Sequence, residues 1–84
     1  MKIEDRYREL KTADNLMSNH LHNKLSTVLR DIISLVKDTE HEKILKDFYK
    51  ETEDIPFAKK GSEEFLEISK LSYKVLQYIE ENLL

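Results

Sequence analysis

Histidine is the residue type in this chain with the widest chemical range, because its imidazole can bind metal ions or take part in group transfer near neutral pH. The sequence has three histidines, His20, His22 and His41. On a helix, His20 and His22 would point about 200° apart, so they cannot share one metal ion. His41 lies between Glu40 and Glu42, without a second histidine nearby. We therefore predict neither a metal site nor a bound cofactor.

Catalytic arrangements of other residue types are also hard to find. Paired acids that transfer protons need a cleft that shifts their pKa values. Here the Asp and Glu residues alternate with Lys, which is typical of solvated ion pairs along helices. The sequence has neither a Gly-rich phosphate loop nor a nucleophile elbow. We predict a protein that is not an enzyme.

Composition narrows both the fold and the class of partner. The chain has 84 residues, no Cys, one Gly and one Pro, which favours a single small helical domain. Its net charge of −3 argues against nucleic acid, which requires a concentrated positive surface. The sequence contains no apolar run of about 18 residues that would span a membrane. The amino-terminal segment MKIEDRYREL lacks the apolar core of an export signal, so we expect a cytoplasmic protein.

Apolar residues repeat every three or four positions from Ile3 to Leu35, which is the spacing of one helical face. Met17 belongs to this stripe, and Leu16 widens it. We predict one long helix over residues 2–37. A break near Thr12–Asn15, where helix formers are weak, is the alternative. The predicted core or dimer-interface positions of this helix are Leu21, Leu25, Val28, Ile32 and Leu35.

Two further helices are predicted, over residues 40–50 and 63–82. Thr39 and Glu42 fit a capping box at the start of the first of them. Ser62 is a good N-cap for the second. The predicted core or dimer-interface positions of the last helix are Phe65, Ile68, Val75 and Ile79.

The predicted architecture is all-helical, in the order long helix, short helix, loop, long helix. Residues 51–61 hold the Pro and the Gly and form the loop, from which Ile55 and Phe57 are expected to contact the core. The helices would form an antiparallel hairpin or a three-helix bundle. Because two long helices make a poor core, we expect a homodimer that forms a four-helix-type bundle.

The segment NLMSNHLHNKLSTVL, from Asn15 to Leu29, resembles the phosphoacceptor helix of sensor histidine kinases, whose pattern is roughly M-S-H-E-L-R-T-P-L-T-A-I-L. The last predicted helix, which begins SEEFLEI, is similar to the second helix of the same dimerisation hairpin. Asn19 stands at the phosphoacceptor position and Lys24 at the proline position, and both depart from the family pattern. The residues on matching positions are Met17, Ser18, Leu21, Leu25, Val28 and Leu29.

This resemblance implies a hairpin that cannot transfer phosphate, since Asn19 cannot carry a phosphoryl group, but that can pair with a kinase or a response regulator. If His20 is the acceptor instead, the resemblance implies a separate phosphotransfer protein. Either residue should then face solvent. The candidate residues for partner binding are Tyr7, Asn19, His20, His22, Asn23 and Tyr78.

The favoured functional hypothesis is a non-enzymatic helical module that binds, regulates or inhibits a partner protein. One alternative is a phosphotransfer protein that uses His20. Another is a toxin or bacteriocin immunity protein, by analogy with acidic helical bundles of similar size. The expected partners are another protein and a second copy of the chain, with no nucleic acid and no membrane.

Overall fold

A computed structural model describes residues 2–57 and 59–84. Within these residues the chain forms four helices: α1 (Ile3–Asn15), α2 (Leu21–Leu35), α3 (Glu40–Asp54) and α4 (Glu63–Asn82). The predicted all-helical class is confirmed. Successive helices run antiparallel: Arg6 near the start of α1 lies 3.8 Å from Asp31 near the end of α2. The result is a small helical bundle with a Cα radius of gyration of 11.9 Å.

The single helix predicted over residues 2–37 is instead two helices, α1 and α2. Met17 lies between them in the left-handed region, with a φ of 49°. The backbone N–H of Ser18 donates to the carbonyl of Ala13 at 3.0 Å, which closes α1 with a turn that usually places Gly at the left-handed residue. The break falls just beyond the alternative site, Thr12–Asn15.

The left-handed backbone of Met17 leads to a stability prediction. A side chain in this region costs about 1 kcal/mol relative to Gly. We therefore expect Met17→Gly to raise the free energy of unfolding by about 1 kcal/mol, measured by urea unfolding followed by circular dichroism. Leu16→Gly is the matched control, because Leu16 has an ordinary φ of −83° and gains nothing from Gly. A Met17→Gly protein less stable than wild type would contradict the prediction.

A single chain covers most of the apolar stripe that was expected to need a dimer. Because the break turns one rod into two helices that fold back on each other, the α1 half of the stripe packs in the same core as the α2 half. Residues from all helices meet there, and the fully buried side chains include Leu10, Leu25, Leu45 and Val75. The predicted core positions that are buried are Leu21, Leu25, Val28, Ile32, Phe65, Ile68, Val75 and Ile79.

Two expected core contacts differ in the structure. Leu35 is 42% exposed, because α2 ends at this residue and the next one, Val36, turns inward and is buried instead. Phe57 is 51% exposed rather than packed into the core, whereas Ile55 does pack against it as predicted. Because the single chain buries most of the apolar stripe, the stripe no longer gives a reason to expect a homodimer.

The helix predicted over residues 40–50 extends to Asp54. Its last turns include Thr52, a polar residue that is completely buried. The hydroxyl of Thr52 donates to the backbone carbonyl of Phe48 at 2.9 Å, so the buried group is satisfied within the helix. This longer helix brings its carboxyl end to the start of α2.

The predicted helix starts are confirmed at α3 and α4. The Thr39 hydroxyl accepts a hydrogen bond from the N–H of His41 at 3.2 Å. The Ser62 hydroxyl accepts one from the N–H of Phe65 at 3.2 Å. Only half of the predicted capping box forms, because the Glu42 carboxylate pairs with Lys46 at 3.6 Å.

Candidate functional site

The two tyrosines predicted to be free for a partner are packing residues instead. Tyr7 is buried on α1, and its hydroxyl accepts a hydrogen bond from Lys11 Nζ at 3.1 Å. Tyr78 is half-buried near the end of α4, where its ring meets Phe48 edge to face. Both side chains are therefore largely withdrawn from the surface that a partner would reach.

The hydroxyl of Tyr78 also ties α3 to α4. Burial raises the pKa of this hydroxyl, and the charge of Glu40 raises it further. The hydroxyl therefore keeps its proton at neutral pH, and it forms a hydrogen bond with Nδ1 of His41, 2.6 Å away. His41 is thus held by the fold at the end of the bundle where α3 begins.

The remaining candidates lie at the opposite end, where the α1–α2 turn meets the α3–α4 connection. Asn19, His20 and Asn23 are exposed, and His22 is half-buried. The side-chain oxygen of Asn19 accepts a hydrogen bond from the backbone N–H of Lys60 at 3.0 Å. This contact joins two segments that are far apart in the sequence.

His22 has a structural role at this end. Its Nε2 lies 2.9 Å from the carbonyl oxygen of Thr52 and 2.8 Å from that of Ile55. Because both partners can only accept, Nε2 must carry the proton and donate to them. The ring also contacts Phe57 edge to face, with centroids 6.1 Å apart. His22 therefore fastens the carboxyl end of α3 and the following segment to α2, where the last carbonyls of a helix need donors.

Large apolar side chains remain exposed around these contacts. Leu16 is 71% exposed and Met17 is 46% exposed, although both lie on the stripe that was predicted to be buried. Phe57, which was expected to contact the core, adds a third apolar surface. Sequence reasoning missed these residues because the spacing of apolar residues continues through the turn without a Gly or Pro to mark it.

Two segments at this end of the bundle carry positive charge. Segments 15–24 and 55–62 contain Lys24, Lys59 and Lys60 but neither Asp nor Glu, in a chain whose net charge is −3. Lysines therefore lie on the same segments as the exposed apolar side chains, although acidic residues at the end of α3 and the start of α4 adjoin them. We name this surface the basic end, and it comprises Leu16, Met17, Asn19, His20, Lys24, Phe57, Lys59 and Lys60.

The basic end is suited to binding. Within the described residues, the side chains of His20 and Asn23 make no hydrogen bond to other protein groups, so both are available to a partner. The backbone N–H of His20 donates to the Ser18 hydroxyl at 3.1 Å, which helps to hold the turn. In the range 2–57 and 59–84, no group of three His, Asp or Glu side chains could hold a metal ion.

Asp14, just before the turn, gives a prediction about pH. Burial raises the pKa of its carboxyl, and the nearby Ser72 hydroxyl lowers it by a smaller amount. Ser72 Oγ is completely buried, and it forms no hydrogen bond of good geometry with any described residue. The Asp14 carboxyl therefore lies near the Ser72 hydroxyl. The hydroxyl replaces only a small part of the hydration that the carboxyl loses on burial.

A raised pKa in the folded state means that Asp14 stabilises the fold only when protonated. Its contribution should be lost as the pH rises from about 4 through the raised folded value. Asp14 also lies in the last turn of α1, where negative charge is unfavourable by about 0.5 kcal/mol. We expect Asp14→Asn to raise the melting temperature at pH 7 and to leave it nearly unchanged at pH 2.5. Asp47→Asn, on the exposed face of α3, is the control. If Asp14→Asn raised the melting temperature equally at both pH values, the prediction would be contradicted.

The described part of the chain contains no helix that is both long enough and apolar enough to cross a membrane. Comparisons with protein-family models, with curated proteins and with solved structures found no match. Inference about function therefore starts from the side chains that this fold exposes.

Proposed function

We propose that this chain is a non-enzymatic helical protein-binding module of the cytoplasm, which regulates or inhibits a partner protein by docking through its basic end. The observation that carries the proposal is the conformation of Met17. Its backbone is in a region that L-residues rarely adopt, and its side chain is nevertheless exposed next to the still more exposed Leu16. Met17 thus serves the turn that folds α1 back on α2, and its exposed side chain, together with that of Leu16, supports the hypothesis of a binding surface there.

The chemistry of the basic end indicates the kind of partner surface. Met and aromatic side chains are common at the centres of protein interfaces, and the thioether of Met17 adapts readily to a pocket. Lys59 and Lys60 on the second segment add charges that favour an acidic partner. The proposed target is therefore a protein with an apolar pocket bordered by Asp and Glu residues. A nucleic acid remains disfavoured by the net charge of −3.

The resemblance to a histidine-kinase hairpin would make the target more specific. The part of the motif around Asn19 and His20 forms the α1–α2 turn and so belongs to the basic end. If the chain mimics such a hairpin, its partner is a histidine kinase or a response regulator. The chain is also proposed to pair with a second copy of itself.

The test is affinity capture with three forms of the chain, followed by titration of the purified partner. The binding variant is Leu16→Ser combined with Met17→Gly, which removes the exposed apolar side chains from the turn. The control is Leu35→Ser, which removes an apolar side chain about as exposed as Met17 from the far end of α2. We expect the binding variant to lose at least about tenfold in affinity, since each side chain contributes about 1 kcal/mol when buried in an interface. A partner retained equally by all forms would overturn the proposal, as would a partner released only by the Leu35→Ser control.

A second candidate function, phosphotransfer through His20, is favoured by one observation. His20 is exposed at the N-cap of α2, whose first turn has no acidic residue, and Lys24 follows one turn later. A phosphoryl group there would meet the positive end of the helix dipole. Incubation with a phosphodonor should give an acid-labile label that is absent from His20→Ala and kept in His41→Ala. An unlabelled wild-type chain would eliminate this candidate.

A further inference from the structure

The outer side of α4 carries an apolar surface that the basic end does not include. Leu66 is 57% exposed and Tyr73 is 59% exposed, and their spacing of two helical turns places them on one face. They line a shallow cleft together with the side chains between and beside them. We name this surface the outer face of α4, and it comprises Leu66, Ser69, Lys70, Tyr73, Lys74 and Gln77.

The outer face of α4 is open because it lies opposite the buried face of this helix, and α1 borders only part of it. Helix α1 has 13 residues and α4 has 20. Lys11, Asp14 and Asn15 of α1 line one cleft with residues 73–80 of α4, so α1 lies beside the second half of α4. The cleft that includes Leu66 is lined, among the described residues, by α4 side chains alone.

Charged residues along one flank of this face are segregated by sign. Glu63 and Glu67 come first, and Lys70 and Lys74 follow. Like charges spaced i, i+4 on a helix repel each other, so this order is less favourable within a single α4 than alternating charges, although Glu67 and Lys70 are spaced i, i+3. Among residues 2–57 and 59–84, these side chains form no ion pair within 4.0 Å. Glu67, Lys70 and Lys74 border a cleft whose α3 side carries Glu51 and Asp54, but no ion pair forms across it, so the flank charges remain available to a partner.

We infer that a second copy of this chain docks on the outer face of α4, with the two α4 helices antiparallel about a two-fold axis near Ser69. This inference rests on the homodimer included in the proposed function and identifies its surface. The two-fold axis places Leu66 of each copy opposite Tyr73 of the other. Both exposed apolar side chains are then covered by one contact.

The order of the charges selects a second copy, in antiparallel orientation, as the occupant. In an antiparallel pair the same flank of each helix meets across the interface, in reverse order. Glu63 and Glu67 of one copy then lie beside Lys74 and Lys70 of the other. In a parallel pair, this flank of one helix would instead meet the opposite flank of the other, so its acids and lysines would not lie beside each other. The flank is thus complementary to itself only when the helices run in opposite directions.

The small size of this face sets the expected strength. Residues 66–77 span about 17 Å of helix, so the interface is small and its dimer is transient. We expect a dissociation constant on the order of 100 μM at low salt. Raising the salt concentration to about 0.5 M should weaken the dimer severalfold, because the flanking charges are exposed to solvent.

Two charge-reversal variants test the inference. Glu63→Lys/Glu67→Lys makes the flank wholly positive, and Lys70→Glu/Lys74→Glu makes it wholly negative. We expect each variant alone to stay monomeric in sedimentation equilibrium between about 10 μM and 1 mM. Mixed in equal amounts, they should form a heterodimer at least as stable as the wild-type homodimer. Circular dichroism of each variant checks that it folds, and Lys43→Glu on α3 is the control that should dimerise like wild type.

The possible outcomes distinguish a wrong dimer surface from a wrong proposed function. Wild-type dimers that both variants retain, or variants that fail to pair when mixed, would overturn the outer face of α4 as the interface. A wild-type chain that is monomeric at every concentration would overturn the homodimer as well. Docking of another protein through the basic end would stand in either case, because it is judged by the Leu16 and Met17 substitutions.

Discussion

Replacing Leu10 by Ala is expected to lower the free energy of unfolding by about 3 kcal/mol. Leu10 lies on α1 and is completely buried in the common core. Its loss leaves a cavity among close-packed neighbours, so the cost includes both the lost burial of the side chain and the lost contacts around it. For a chain of 84 residues, this is a large fraction of a total stability of about 4–12 kcal/mol.

Leu35→Ala is the matched control for this prediction. Leu35 belongs to the same sequence stripe as Leu10, but it is exposed at the end of α2. Its substitution should change the stability by less than about 0.5 kcal/mol. Urea unfolding followed at 222 nm measures both variants, provided that the slope of the transition stays constant. Equal losses would show that α1 does not pack in the core as the fold requires.

Replacing His22 by Ala should cost about 2 kcal/mol. The substitution removes the donor that serves the carbonyls of Thr52 and Ile55 at the carboxyl end of α3. Each lost hydrogen bond costs about 1 kcal/mol, and the contact with Phe57 is lost as well. Thermal unfolding should show a lower melting temperature, and amide hydrogen exchange should increase first in the last turn of α3.

His20→Ala is the control, because it shows whether replacing any histidine in this region lowers the stability. His20→Ala should leave the stability within about 0.5 kcal/mol of wild type, because His20 is exposed. His22→Gln retains an N–H donor and should recover part of the loss. A His22→Ala protein as stable as wild type would show that the two carbonyls are served equally well by water.

The His22 contacts also bear on the proposed function. They hold Ile55 against the core and place the exposed ring of Phe57 beside the α1–α2 turn. Loss of these contacts should therefore weaken partner binding at the basic end, even though the half-buried His22 ring is not itself expected to contact the partner. A histidine that looked like a binding residue in the sequence is therefore better understood as one that positions the binding surface.

Local signals in the sequence were sufficient for several features of the fold. The all-helical class follows from the spacing of apolar residues and the scarcity of Gly and Pro. Ser62 and Thr39 were predicted as caps because a hydroxyl at that position satisfies a free N–H of the following turn. The positions facing the core on α4 were also predicted correctly, since a helix of uniform period keeps one face inward.

The sequence allowed a break near Thr12–Asn15 as an alternative, but the same signals could not decide for it or place it at Met17. Spacings of three or four continue through Met17, and the residue that adopts the left-handed backbone is not a Gly. Continuing the helix would have left the apolar face of residues 3–13 without a core to pack against. Folding back buries Tyr7, Leu10 and Ala13, which outweighs about 1 kcal/mol of strain at Met17.

The sequence by itself determined that this chain is helical, where most of its helices begin, and which face of each helix is apolar. Only the tertiary structure decided that one chain forms the bundle, that Leu16, Met17 and Phe57 stay outside, and that His22 bonds to α3. The physical reason is the range of the interactions. Caps and helical periods act over three or four residues, whereas the contact of His22 with Ile55 and that of Asn19 with Lys60 depend on how distant segments pack.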